Sequence, residues 1–142
     1  MEVNVTGRPT PSLDLTGSYT YTNADQSQPL VEDVLRSFAI PDHQFSFFAT
    51  QHIGQRFFVN FDFVSSSSFL APLFDPLTFA SRAFQFGGIR KADLGASYRL
   101  PLSDYRSLRF HFKVDNLFDR DYYENGFRTP GATGIAGVQL EF

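Results

Sequence analysis

The chain has 142 residues, including 18 Phe and 6 Tyr but no Trp or Cys, and 42% of it is apolar. Its 12 basic and 15 acidic side chains leave a formal charge of −3. Such a chain is too apolar to be disordered, lacks the thiols for a disulfide framework or thiolate metal site, and has no basic excess for nucleic acid.

Hydropathy alternates with a period of two along most of the length, which predicts half-buried strands. Glu2 to Gly7 is a first, weak strand, and Arg8-Pro9-Thr10-Pro11 a short turn. From Ser12 to Thr22, Leu13, Leu15, Gly17, Tyr19 and Tyr21 share one face, and Asp14, Thr16, Ser18 and Thr20 the other. A long connection follows from Asn23 to Asp42. Within it Leu30, Val31, Val34, Leu35 and Phe38 are spaced as one face of a short helix packed in a loop.

Gln44 to His52 is a second weak strand, with Phe45, Phe47 and Ala49 on its apolar face, and Ile53-Gly54-Gln55 turns the chain. Between Arg56 and Phe63, Phe57, Val59, Phe61 and Phe63 oppose Arg56, Phe58, Asn60 and Asp62. Ser65 to Ser68 opens a second long connection that reaches Phe86. From Lys91 to Leu100, Ala92, Leu94, Ala96, Tyr98 and Leu100 oppose Asp93 and Arg99, before a turn over Pro101 to Arg106. From Leu108 to Asp115, Phe110, Phe112 and Val114 oppose Arg109, His111 and Lys113. A third connection spans Glu124 to Ala132. The chain closes with Ala136, Val138, Leu140 and Phe142 opposing Ile135, Gly137, Gln139 and Glu141. The expected fold is all-β, an antiparallel up-and-down meander of about seven strands.

No run of apolar residues is long enough for a membrane helix, but a membrane-crossing strand needs only about 9–11 alternating residues. In a soluble sheet the apolar face packs inward, whereas in a membrane barrel it meets lipid and the polar face lines the lumen. Alternation by itself leaves both readings open. Short turns at one end, long connections at the other, and rings near strand ends (Tyr19, Tyr21, Tyr98, Tyr105, Tyr122, Tyr123, Phe142) favour the membrane barrel.

The segment from Lys113 to Tyr123, with Asn116-Leu117-Phe118-Asp119 followed by Tyr122, resembles the penultimate strand of TonB-dependent outer-membrane receptors. The stretch Gly131 to Phe142 resembles their last strand. Its terminal Phe142 behind Val138 and Leu140 is similar to the signal read by the barrel-assembly machinery. Arg8 to Leu13 before Gly17 to Tyr21 resembles a periplasmic turn and upward strand of the same barrel, and Pro41-Asp42-His43 fits the start of a downward one. The resemblance implies a larger transmembrane β-barrel of 22 strands around a plug. Residues 1–142 are then expected to be its C-terminal segment, with the plug domain and the N-terminal strands absent. It implies the outer membrane of a Gram-negative bacterium as location, and TonB-dependent uptake of siderophore iron, cobalamin or a glycan as function. The implied partners are outer-membrane lipid, the missing plug and remaining strands, TonB acting through the plug, and a small-molecule ligand. The alternatives are a soluble lipocalin-like binding barrel and an outer-membrane enzyme or adhesin.

No catalytic, metal or cofactor constellation is expected. His43, His52 and His111 lie on separate strands without ligand spacing, and Ser65 to Ser68 lack the glycine frame of a nucleophile elbow. Asp115, Asp119 and Asp121 lack the Gly and Glu of a calcium loop. Gly131, Gly134 and Gly137 precede no helix, as a dinucleotide site would need. Asn60, Asp62, Asp93, Arg99, Arg109, His111 and Lys113 are the candidates for lumen lining, and Phe69, Phe74, Phe79 and Phe84 for ligand capture in a loop.

Overall fold

The computed structural model describes residues 1–23, 39–124 and 127–142. Its strands are β1 (Glu2–Thr10), β2 (Leu13–Tyr21), β3 (His43–Ile53), β4 (Phe57–Ser66), β5 (Phe69–Asp75) and β6 (Ala80–Phe86). They continue with β7 (Arg90–Ser103), β8 (Arg106–Asp115), β9 (Tyr123–Glu124), β10 (Phe127–Arg128) and β11 (Thr133–Glu141). Seven of them form one antiparallel sheet in the order β1-β2-β3-β4-β7-β8-β11. These are the seven strands that alternation predicts. The two insertions form separate hairpins, β5 with β6 and β9 with β10.

The register carries one face across the whole sheet. Leu15 stands opposite Ala49, Ala49 opposite Phe61, Phe61 opposite Leu94, Leu94 opposite Val114, and Val114 opposite Gly134. Because paired residues project to the same side, every apolar set read from the sequence falls on a single surface. A slip of one residue at any ladder would turn that strand's Phe and Leu side chains to the polar side, so the pattern itself specifies the register.

Tight turns lie at one end of the sheet and the insertions at the other. Gly54, with φ of +62°, takes the left-handed position in the β3–β4 turn that side chains disfavour. Two turns are tighter than expected. β1 continues through Arg8 and Pro9 to Thr10, with a register shift after Gly7. Pro9 is tolerated there because the strand is at the sheet edge and irregular, where a missing N–H costs no ladder bond. Likewise β7 runs on to Ser103 with a shift after Pro101, leaving only Asp104 and Tyr105 between it and β8.

The segment after Ser68, expected as a loop, is the β5–β6 hairpin, in register from Phe69 opposite Phe86 to Asp75 opposite Ala80. The helical turn expected over Leu30 to Phe38 lies outside the described residues.

The sheet has almost no interior. Among the described residues only Phe69, Ala92 and Tyr122 are buried hydrophobic side chains. Val138 is 61% exposed and Phe112 49%. A soluble sandwich or barrel would cover such a face with a second layer. Among the described residues no such layer lies over the apolar face.

Candidate functional site

The polar face gathers all the residues expected to line a lumen, and Asp93, Arg99, Arg109 and Lys113 are ion-paired there with neighbouring side chains. Asn60 stands opposite Gly95, Gly95 opposite Lys113, and Asp62 directly opposite Asp93. Near the insertion end, Lys91 Nζ lies 3.1 Å from Asp93 Oδ2 and 4.0 Å from Asp115 Oδ1, and Lys113 Nζ lies 2.6 Å from Asp115 Oδ1. Alternating signs along neighbouring strands neutralise the wall locally. His111 is paired with Gly137, and a Cβ at Gly137 would run into its imidazole. That glycine gives the ring its room.

At the tight-turn end the arrangement centres on the last strand. Arg99 Nε is 3.1 Å from Glu141 Oε2, and Arg109 Nε is 2.8 Å from Glu141 Oε1. Ser107 Oγ, itself buried, donates to Glu141 at 2.8 Å and accepts from Arg99 Nε at 2.9 Å. Sequence reading singled out Arg99 and Arg109 but neither Ser107 nor Glu141 as site residues. Only the pairing of β11 with β8, which sets Glu141 opposite Ser107, brings them together.

The Asn-Leu-Phe-Asp motif forms the turn that ends β8. Asn116, with φ of +53° and 2% exposure, donates its backbone N–H to Asp93 Oδ1 at 2.8 Å. Its side chain donates to the Arg120 carbonyl at 2.9 Å and accepts the Arg120 N–H at 3.1 Å. Leu117 N–H donates to the Ala92 carbonyl, and Asp119 Oδ1 accepts the Ala132 N–H at 2.8 Å. The buried Tyr122 offers its carbonyl to both the N–H and the hydroxyl of Thr129. Leu117 and Phe118 remain exposed. The motif thus ties β7, β8 and the approach to β11 into one corner. Asn tolerates the left-handed backbone, and its amide satisfies groups that the end of the ladder leaves unpaired.

The three carboxylates considered for calcium are engaged in this region. Asp115 faces Lys113, Asp119 caps Ala132, and Asp121 Oδ1 pairs with Arg128 Nη2 at 2.6 Å. That last hydrogen bond holds the Arg128 guanidinium above its ordinary pKa. At the tip of the β5–β6 hairpin, the Leu77 N–H and then the Thr78 hydroxyl hold the Asp75 carboxyl below the usual range.

Between the hairpin and the sheet lies a cavity of about 450 Å³ at the insertion end of the polar face. Its wall includes Ser18, Gln44, Ser46 and Ser66 from the sheet, Phe69 and Ala71 from β5, and Tyr123 from β9. Phe69 stacks on Phe86 at 5.7 Å, and Phe86 meets Tyr123 at 5.6 Å, joining the two insertions over this space. Of the loop phenylalanines, Phe69 is at the cavity, while Phe74 and Phe79 contact each other at the exposed tip. The cavity was illegible in the sequence because it depends on how the hairpin folds back.

An open, antiparallel, two-faced meander with tight turns at one end is the architecture of a sector of barrel wall. The sequence matches no protein-family model. The structure is similar to the ferripyoverdine receptor of the outer membrane of Pseudomonas aeruginosa bound to ferripyoverdine. The TM-score is 0.71 at 18% identity, over 99% of this chain and 19% of that one. It is similar to FpvAI in its complex with pyocin S2, with TM-score 0.70 at 17% identity over 99% and 18%. It is also similar to P. aeruginosa FpvA bound to heterologous pyoverdines, with TM-score 0.71 at 18% identity over 99% and 19%. The chain therefore spans about a fifth of the length of these receptors. Its fold is that of a seven-stranded part of a TonB-dependent receptor barrel.

Proposed function

We infer that the chain is the C-terminal barrel segment of an outer-membrane receptor for TonB-dependent uptake of a scarce nutrient such as siderophore iron, cobalamin or a glycan. The observation that carries this reading is the continuous apolar face, left without a covering layer among the described residues and backed by a charge-paired polar one. In this reading the apolar face meets outer-membrane lipid, and Asn60, Asp62, Asp93, Arg99, Arg109, His111 and Lys113 line the lumen against a plug. The Asn116 to Tyr122 motif holds the last outward corner. Val138, Leu140 and Phe142 present the insertion signal to the assembly machinery. The cavity beneath the β5–β6 hairpin opens toward the ligand side. The segment has a wall's role and no catalytic one.

The test is the behaviour of the purified chain with and without detergent. It should be β-rich in micelles and aggregate once detergent is withdrawn, because the Phe-rich face and both edge strands are then exposed. A monodisperse, cooperatively unfolding monomer in plain buffer that binds an apolar ligand would overturn this reading in favour of a soluble binding barrel. In the receptor that contains this segment, removing Phe142 should lower the amount assembled in the outer membrane without lowering synthesis.

A further inference from the structure

One cleft lies on the opposite side of the wall from the lumen candidates. Arg90 stands opposite Ser65, and Ser65 opposite Phe45, which places Arg90 on the apolar face at its insertion-end rim. Together with Phe63, Phe118, Asp119 and Arg120 it lines an open cleft of about 500 Å³. Phe63 and the exposed Phe118 supply its aromatic lining, and Arg90 and Arg120 its cationic lining. Asp119 is already engaged, its Oδ1 accepting the Ala132 N–H. Among the described residues, neither Arg90 nor Arg120 has a carboxylate partner within ion-pair distance. Other arginines of the sheet, such as Arg8, Arg99 and Arg109, do have one.

Two guanidiniums without a carboxylate partner, against the one Asp119 carboxylate held on a backbone N–H, line this cleft with two phenyl rings and match a ligand with an anionic head and apolar tails. Planar guanidinium groups suit phosphate oxygens, and a rim position sets them at headgroup depth. Along the same rim Tyr19 hydroxyl is hydrogen-bonded to His43 Nδ1 at 2.8 Å, and the Tyr21 ring lies tilted against the same imidazole at 5.1 Å. Amphipathic rings at one level mark the membrane–water boundary. We propose that the Arg90–Arg120 cleft seats the phosphate of an acidic lipid headgroup, with its chains lying along Phe63 and Phe118. This site rests on the reading that the apolar face meets lipid.

The probe is phosphatidic acid, compared with diacylglycerol of the same chains, each doped into micelles of the full chain and counted as adducts by native mass spectrometry. Phosphatidic acid should bind preferentially, and Arg90→Gln and Arg120→Gln should each weaken it about fivefold. Diacylglycerol binding should not change. Arg56→Gln, at the opposite end, removes the same charge and should leave the preference intact, and circular dichroism of each variant verifies the strand content. Equal binding of the two lipids, or an unchanged preference in the double variant, overturns the site while leaving the membrane wall standing. Displacement of the lipid by millimolar inorganic phosphate reduces it to a free-anion site and also overturns it. Absence of binding by both lipids to a detergent-free soluble monomer would overturn the membrane reading beneath it.

Discussion

Arg99 and Arg109 stand directly opposite each other across β7 and β8, two like charges that a single carboxylate, Glu141 of the last strand, joins. Like charges directly opposite in a ladder are destabilising unless compensated. The register of β11 against β8 is therefore written twice, once in the apolar alternation and once in this triad.

Glu141→Gln should loosen the attachment of β11 more than Ser107→Ala does, because the first leaves two facing guanidiniums without an anion. The measurement is amide hydrogen exchange in micelles. The Ile135 to Leu140 amides should exchange faster in Glu141→Gln, with the β2–β3 amides unchanged.

Phe61 and Asn60 are neighbours on opposite faces of β4. An Arg at a lipid-facing midplane position costs about 2–4 kcal/mol, against little on a water-filled side. Phe61→Arg in the parent receptor should therefore lower the assembled fraction strongly, and Asn60→Arg weakly. Equal losses in outer-membrane fractions would reverse the assignment of faces.

Asn116→Ala removes the amide that satisfies Arg120 and puts a less tolerant residue at a left-handed backbone position. Losing those part-buried hydrogen bonds should cost about 0.5–1.5 kcal/mol each. Asn116→Gly loses the same bonds but keeps the backbone freedom, so it should cost less than Asn116→Ala. Urea unfolding in micelles, followed by circular dichroism, orders the two.

Asp75 is held below its usual titration range by groups that exist only when the hairpin tip is formed. Its contribution is complete above the ordinary aspartate pKa and is lost as pH falls through the lowered one. The Leu77 and Thr78 amides should therefore exchange faster only on the acid side of that range. Asp75→Asn should remove the pH dependence.

The seven sheet strands were legible because apolar residues recur at every second position of one face, with only a few apolar exceptions such as Phe58 and Ile135 on the other, and a period of two is hard to produce otherwise. The β5–β6 hairpin was not. Phe69-Leu70-Ala71-Pro72-Leu73-Phe74 runs apolar on both sides and contains a proline, so it carries no alternation and reads as a breaker. β9 and β10 are two residues each, too short for any period. The polar candidates were legible as a face. Their partners were not, because Glu141 and Ser107 lie 34 positions apart and meet only through the ladder.

An odd number of sheet strands also separates the two ends of the chain. The Met1 ammonium donates to the Tyr21 carbonyl beside the insertions, while Glu141 ends the ladder opposite Ser107 beside the tight turns. If the sheet crosses a membrane, a tag at residue 1 and a tag at residue 142 would sit in different compartments. Protease protection of the two tags would then give the orientation of the wall directly, with no loop altered.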